Sequence, residues 1–360
     1  MNKLKIFVSL LFFTASTLLC ETMYPQKMIL SVPVADLRAQ PQANSSDIKL
    51  PTSDVINPLQ ITQILLGEHI LAHEEYVDEN SKKWLKVNAP QQEFYKVPFG
   101  WHGFPGWIEH DQALAVDSYP VHNLVVKSLL ANLLDEAKNI LQTVSIGTRL
   151  NGEKLDKESN LWRVVLPDGQ IAFIKNDDVY PINATVEESI DDLRKSIISK
   201  AMEFLGSSYS WGGRSAQNEL LTISSVDCSS LMNLSFLAHG LQIPRMSHEQ
   251  FLRSEKIEEG KDLKPGDLIF FTSITKKSSR MDHVMMYLGD NKILETTTLD
   301  QKKVRVIPFN ERMCLTYDLL QSGDIIDCTE DRFRIFFSSF FKDEEMVQGL
   351  RNDALNHAYN

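Results

Sequence analysis

"VDCSSLMNLSFLAHG", residues 226–240, sets a cysteine between an aspartate and two serines at the mouth of an apolar run. Leu231, Leu234 and the Leu237–Ala238 pair fall on one helical face, which predicts a helix that starts near Asp227 or Cys228 and stops at Gly240. A thiol at that start meets the positive end of the helix dipole, which favours the thiolate. Cysteine is also a common small core residue. The polar flanks Asp227, Ser229 and Ser230 suit a core thiol badly and turn the reading toward a nucleophile.

A thiolate nucleophile wants a base, and "MDHVMMYLG" (281–289) offers His283. In a strand, His283, Met285 and Tyr287 share one face, and Val284, Met286 and Leu288 share the other. His239 sits at the far end of the thiol helix and points away, while His248 is read as a loop residue and a rival base. Glu295, in "KILETTT" (292–298), is the candidate to orient the imidazole. A two-residue hairpin turn would set it opposite Met286, on the wrong face. The catalytic reading therefore requires a three- or five-residue connection, which Gly289 permits.

Upstream, residues 28–118 alternate short strand-like runs with turn signals, and residues 119–182 repeat the theme more faintly. "KKWLKV" and "NLWRVV" occupy corresponding places, which reads as a diverged internal duplication of small barrels. "QANSSDIKLPTSDVINP" (42–58) reads as an inserted loop. From 182 the period becomes helical, with Thr185 as the cap and Leu193, Ile197, Ala201 and Phe204-Leu205 on one face. A third domain spans 185–342, and 343–360 is read as a polar tail or a loose helix.

The formal charge of −11 argues against nucleic acid or anionic lipid as the main partner. Lys3 and Lys5 before an apolar run from Ile6 to Leu19 mark residues 1–20 as a secretory signal, too short to span a bilayer. Export to the periplasm or cell envelope follows, with Cys20 as a lipidation candidate, and no stable membrane insertion is expected. Cys314 and Cys328 either form a disulfide or stay as buried apolar residues, and Cys228 is the candidate free thiol. No C-x-x-C pair occurs, so a structural zinc site is not expected, and neither is any other metal or cofactor.

Taken in order, "YSWGGRS", "VDCSSLMNLSFLAHGLQIPRMSHEQ", "LKPGDLIFF" and "DHVMMYLGDNKILE" resemble the NlpC-type cysteine peptidases of bacterial cell walls. "LQITQILLGE" and "GFPGWI" resemble the paired bacterial SH3-like domains that precede the peptidase in one branch. The resemblance implies an α+β papain-like cysteine peptidase domain preceded by two small all-β SH3-like barrels. It implies hydrolysis of the γ-D-glutamyl–meso-diaminopimelate bond of peptidoglycan tri- or tetrapeptide stems by a monomer. It carries the nucleophile onto Cys228, the base onto His283 and the third polar residue onto Glu295, where many members have histidine. It carries a tyrosine near the nucleophile onto Tyr209. Asp227, Ser229, Ser247, Glu68 and Trp211 fall on substrate-binding positions, the acids among them suited to an N-terminal L-Ala ammonium. Phe104 stands where the branch often has Tyr. The rival readings are an amidase or acyltransferase on the same Cys–His scaffold, and a non-catalytic wall-binding protein.

Overall fold

The computed structural model describes residues 24–42, 59–155, 159–182, 188–216, 225–274, 280–297, 302–328 and 331–356. The segment read as a signal, with Cys20, and nearly all of the inserted loop lie outside the described residues.

Two β units open the described chain. The first comprises β1 (Gln26–Leu30), β2 (Val34–Arg38), β3 (Gln60–Leu65), β4 (His69–Val77), β5 (Lys83–Lys96), β6 (Gly100–Glu109) and β7 (Ala113–Ala115). The second comprises β8 (Leu124–Val126), β9 (Leu130–Leu134), β10 (Ile140–Ser145), β11 (Arg149–Lys154), β12 (Leu161–Val165), β13 (Ile171–Lys175) and β14 (Val179–Pro181). Their sheets run β3-β2-β6-β5-β4-β1-β7 and β10-β9-β13-β12-β11-β8-β14, the same order seven strands later. Trp84 in β5 and Trp162 in β12 are thus equivalent, and each indole N–H donates at 3.1 Å to a side-chain oxygen, of Asp78 and Asn176 respectively. Each unit closes on its own apolar core, Leu37, Ile64, Ile70 and Ile108 in the first and Leu124, Leu133, Val164 and Ile174 in the second.

The remainder is α+β. Helix α1 (Ile190–Met202) is capped by Ser189, whose Oγ accepts from the Asp192 N–H at 3.2 Å. The expected cap, Thr185, lies outside the described residues. Leu193, Ile197, Ala201 and Phe204 are buried as their spacing predicts, whereas Leu205 faces solvent. A three-stranded ribbon follows, from β15 (Ser208–Tyr209), β16 (Arg214–Ser215) and β17 (Ser225–Val226), leading straight into α2 (Cys228–Leu237). Next come α3 (Ser247–Arg253), β18 (Glu255–Ile257), β19 (Leu268–Ser273), β20 (His283–Gly289), β21 (Lys292–Thr296), β22 (Val304–Pro308), α4 (Phe309–Met313), β23 (Ile325–Cys328) and β24 (Asp331–Ser339). The antiparallel sheet runs β18-β24-β19-β20-β21-β22, with β23 beside β24. One face carries Val284, Met286 and Leu294 into a core shared with Leu231 and Leu234 of α2. The other carries Met285, Tyr287 and Ile293 into a second core closed by Phe309 and Cys328.

Of the two readings of the C-terminal residues, the structure has the helix, α5 (Glu344–Asn356). Its apolar stripe is only Val347, Leu350 and Ala354, too sparse to stand out among charged neighbours, yet all three are buried. The fully buried Arg149 of β11 donates to the Ala354 carbonyl at 2.7 Å, and the Leu350 carbonyl accepts from the Gln242 N–H at 3.0 Å.

Candidate active site

Helix α2 starts at Cys228 because Asp227 stops the strand and caps the helix. The Asp227 carboxylate accepts from the Ser230 N–H at 2.8 Å, and the Ser230 hydroxyl accepts from the Asp227 N–H at 2.9 Å, a reciprocal capping box. Cys228 is therefore in the first helical turn, half-buried and free. The ribbon fixes what lies beside it, because Tyr209 pairs with Val226. Burial first, then the neighbouring Cys228 and Asp227, push the Tyr209 hydroxyl far above its ordinary range, so it stays protonated beside the thiol. Gly212 is required here. Its φ is +71°, and a Cβ would lie 3.0 Å from the Ile61 backbone of β3.

His283 opens β20, with its ring against Phe271 of β19 at 4.9 Å between centroids. Its Nε2 lies 2.9 Å from Glu295 Oε2, and its imidazole also hydrogen-bonds the Cys228 side chain. With Nε2 turned to the carboxylate, Nδ1 is the nitrogen left for sulfur. Burial alone lowers the imidazole pKa. Cys228 and Glu295, by charge and hydrogen bond, outweigh burial and raise it to about 9.

Glu295 reaches the histidine's face by a route other than a longer loop. The connection is a two-residue turn, Asp290–Asn291, both at positive φ (50° and 58°). The register then slips between Tyr287 and Gly289, so that Met286 pairs with Leu294 and Tyr287 with Ile293. This bulge supplies the odd residue that the face argument required. Glu295 is fully buried, and burial pushes its carboxyl up. The His283 hydrogen bond and charge, with Arg312 and Arg305, more than reverse this and bring it to about 2. Oε1 accepts from Arg305 at 2.7 and 3.1 Å, and Arg312 Nε lies 3.4 Å from Oε2.

The acids expected at the substrate's ammonium are occupied. Asp227, 5 % exposed, receives both Arg245 Nη atoms at 2.9 and 2.7 Å as well as the Gly212 N–H. Glu68, 1 % exposed, is forked by Arg214 at 2.8 and 3.0 Å. Both carboxylates are thus paired internally with arginines. The Ser229 hydroxyl is likewise held, between Asp227 and Arg245, and Ser247 Oγ donates to the Met281 carbonyl at 3.0 Å. Trp211 is 42 % exposed on the loop before Gly212. Phe104 is buried in the first β unit's core, 4.8 Å from Phe94. His248 lies in α3, where its Nδ1 accepts from the Met281 N–H at 3.3 Å. His239 lies edge-on to Tyr180, at the other end of α2.

Four arginines that no spacing rule singles out, Arg214, Arg245, Arg305 and Arg312, complete the site. Two of them stand in quoted motifs, "GGRS" and "PRMS", and Arg305 is directly opposite Glu295 in the β21–β22 register.

The NlpC/P60 family model matches residues 206–321, which span Tyr209, Cys228, His283 and Glu295. A γ-D-glutamyl-L-lysine dipeptidyl-peptidase of Bacillus cereus is 31 % identical over 260 residues, 69 % of this chain and 70 % of that protein. The chain belongs to the NlpC/P60 family. It is a cysteine endopeptidase, a hydrolase. The Bacillus subtilis bifunctional muramidase/DL-endopeptidase CwlT is 28 % identical over 131 residues, 36 % of each chain. A crystal structure of an NlpC/P60 family protein from Bacillus cereus superposes with a TM-score of 0.62 at 26 % identity, covering 79 % of this chain and 94 % of the other. The catalytic fold of the family and the β units ahead of it are therefore both present here.

Proposed function

We propose that this enzyme hydrolyses the γ-D-glutamyl–diaminopimelate bond of peptidoglycan stem peptides, from a papain-like catalytic domain (185–342) behind two SH3-like barrels (28–118 and 119–182). The observation that carries the reading is the Cys228–His283–Glu295 line, in which a half-buried thiol and a buried carboxylate hold the same imidazole. Relatives named for γ-D-glutamyl-lysine and DL-endopeptidase activity support the substrate class.

The Cys228 thiolate attacks the γ-carbonyl, and its own N–H at the start of α2 helps to hold the oxyanion. Tyr209, protonated beside the sulfur, is a second donor. His283 protonates the departing amine of the diamino acid, then takes a proton from the water that opens the thioester. Glu295 keeps Nε2 engaged throughout, so that Nδ1 serves the sulfur.

A preference for peptides with a free N-terminal L-Ala follows from crowding rather than from acid pairing. The first β unit packs against the catalytic part beside the nucleophile: Ile61 abuts Gly212, the Tyr95 N–H donates to Glu249, and Glu93 pairs with Arg253 of α3. On this reading a stem still joined to glycan is excluded by that packing. The Cys314–Cys328 disulfide suits work outside the reducing cytoplasm, at the cell envelope.

Mass spectrometry of defined muropeptides incubated with wild type and Cys228→Ala tests the reading. The expected result is a new amino group on the diamino acid, absent with Cys228→Ala, and faster turnover of free tripeptide than of intact sacculus. Release of an ester or an N-acylated product, or equal rates on sacculus and tripeptide, would overturn it.

A further inference from the structure

Glu295 stands in an enclosed position where a carboxylate survives only if cations meet it. Two do, and they come from different elements. Arg305 is its cross-strand partner in β22 and forks Oε1. Arg312 comes from α4 and reaches Oε2, the oxygen that His283 also uses. Arg312 further lies over the Phe271 ring, 5.3 Å from its centroid, and the same ring packs on His283.

Helix α4 is only five residues long, too short to hold itself in place. It ends at Cys314, in the left-handed conformation (φ 59°), and Cys314 is disulfide-bonded to Cys328 of β23. Cys328 Sγ also lies 3.8 Å from the Arg312 carbonyl. The covalent link thus fixes the chain two residues beyond Arg312. Cys314 is exposed, so a small dithiol can reach the bond.

We propose that Arg305 and Arg312 are positioning residues that hold Glu295 on His283, and that the Cys314–Cys328 disulfide sustains the Arg312 half of this clamp. Reduction by a dithiol delivers two electrons and two protons to the bond, leaving two cysteine thiols and a cyclic disulfide of the reductant. Helix α4 is then released, Arg312 leaves Oε2, and Glu295 swings toward Arg305. The enzyme accordingly has opposed redox needs, a reduced sulfur at 228 and an oxidised pair at 314 and 328. The clamp rests on the catalytic reading of Cys228 and His283 but is independent of which bond is cut.

The charged groups that meet His283 are Cys228 from α2, Glu295 from β21 and, through Glu295, Arg305 and Arg312. Removing a cation near an imidazolium would by charge alone raise its pKa. Losing the Glu295 hydrogen bond would lower it. The direction of the shift therefore separates positioning from bulk electrostatics.

The test is the pH dependence of Cys228 alkylation by iodoacetamide, followed by mass spectrometry of the Cys228 peptide, beside the pH profile of kcat/KM. Arg312→Met is expected to slow alkylation at neutral pH about tenfold and to move the alkaline limb of kcat/KM down by about one unit, equivalent to about 1.4 kcal/mol. It should lower kcat more than it raises KM, and Arg312→Lys should recover part of the loss. Cys314→Ser/Cys328→Ser, and wild type reduced with dithiothreitol and then freed of excess reagent, with an unchanged far-ultraviolet circular dichroism spectrum, should shift the same way by threefold or more. An alkaline limb that moves up in Arg312→Met, or alkylation within twofold of wild type, overturns the clamp. Full alkylation and activity after that reduction overturns the disulfide's part. Because alkylation needs no substrate, an error in the bond assignment leaves this result readable.

Discussion

A carboxylate with no solvent contact costs several kcal/mol to keep ionised, and at Glu295 that cost is offset by His283 and two arginines. The pair has a stability signature with a definite sign. His283 is raised above its ordinary 6.5, so its contribution is full below 6.5 and fades as pH climbs through about 9. Glu295 is lowered below its ordinary 4.5, so its contribution is full above 4.5 and fades as pH falls toward about 2. Both are complete between 4.5 and 6.5. Glu295→Gln should therefore melt below wild type by the widest margin in that window, with a loss of roughly 3 kcal/mol there. The margin should narrow at more acid and more alkaline pH, as thermal melts across a buffer series would record. An even margin at every pH would mean that packing, not charge, sets the cost. In activity, the same variant should bring the alkaline limb below about 9, since burial then acts on His283 with only Cys228 opposing it.

Helix α2 is the element on which the site depends, and its start was readable from a spaced leucine face and polar flanks, to which the structure adds Asp227 as the cap. The strand faces were readable for the same reason, since a period of two assigns Val284 and Met286 without knowledge of the fold. The hairpin was legible only as a condition. A bulge is one residue of slip, and nothing in "YLGDNK" distinguishes it from a longer loop. The arginines were illegible because an ion pair joins residues with no fixed spacing. Arg245 lies 18 positions beyond Asp227, and Arg214 lies 146 beyond Glu68. The Arg245 pair divides the roles of Asp227 in a measurable way. Asp227→Asn retains an oxygen for the Ser230 N–H but leaves Arg245 without a counter-charge, at a cost of about 3 kcal/mol. Asp227→Ala also loses the cap, about 1 kcal/mol more. Urea denaturation of the two variants should rank them in that order. Equal midpoints would remove the capping box from the account.

At the scale of the whole molecule, the β units and the catalytic part are joined by buried polar bonds as well as apolar packing. Strand β3 supplies the Gln63 carbonyl and Oε1 to Arg214 and Thr62 Oγ1 to Arg245, and Arg214 in turn holds Asn233 of α2 at 2.9 Å. Met246, beside Ser247, packs against the first unit's core. The two units share one strand order but meet different neighbours. The first meets the nucleophile's surroundings, and the second packs against the end of α2 and the C-terminal helix, through Val125, Leu237 and Ala354. Glu68 sits at the centre of the first junction, and its two candidate roles make opposite predictions. As a buried counter-charge to Arg214, its replacement by Gln should cost about 3 kcal/mol of stability. It should also leave unchanged the ratio of kcat/KM for free and N-acetylated L-Ala-γ-D-Glu-diaminopimelate. As a ligand for the substrate ammonium, Glu68→Gln would leave the melting temperature in place and flatten that ratio. The fork from Arg214, the Leu65 N–H at 3.1 Å and the Gln92 amide at 3.3 Å engage both carboxylate oxygens, so the first outcome is expected. Selectivity for a free terminus would then reside in the wall that β3 and the end of β5 raise beside Gly212 and α3, not in this charge.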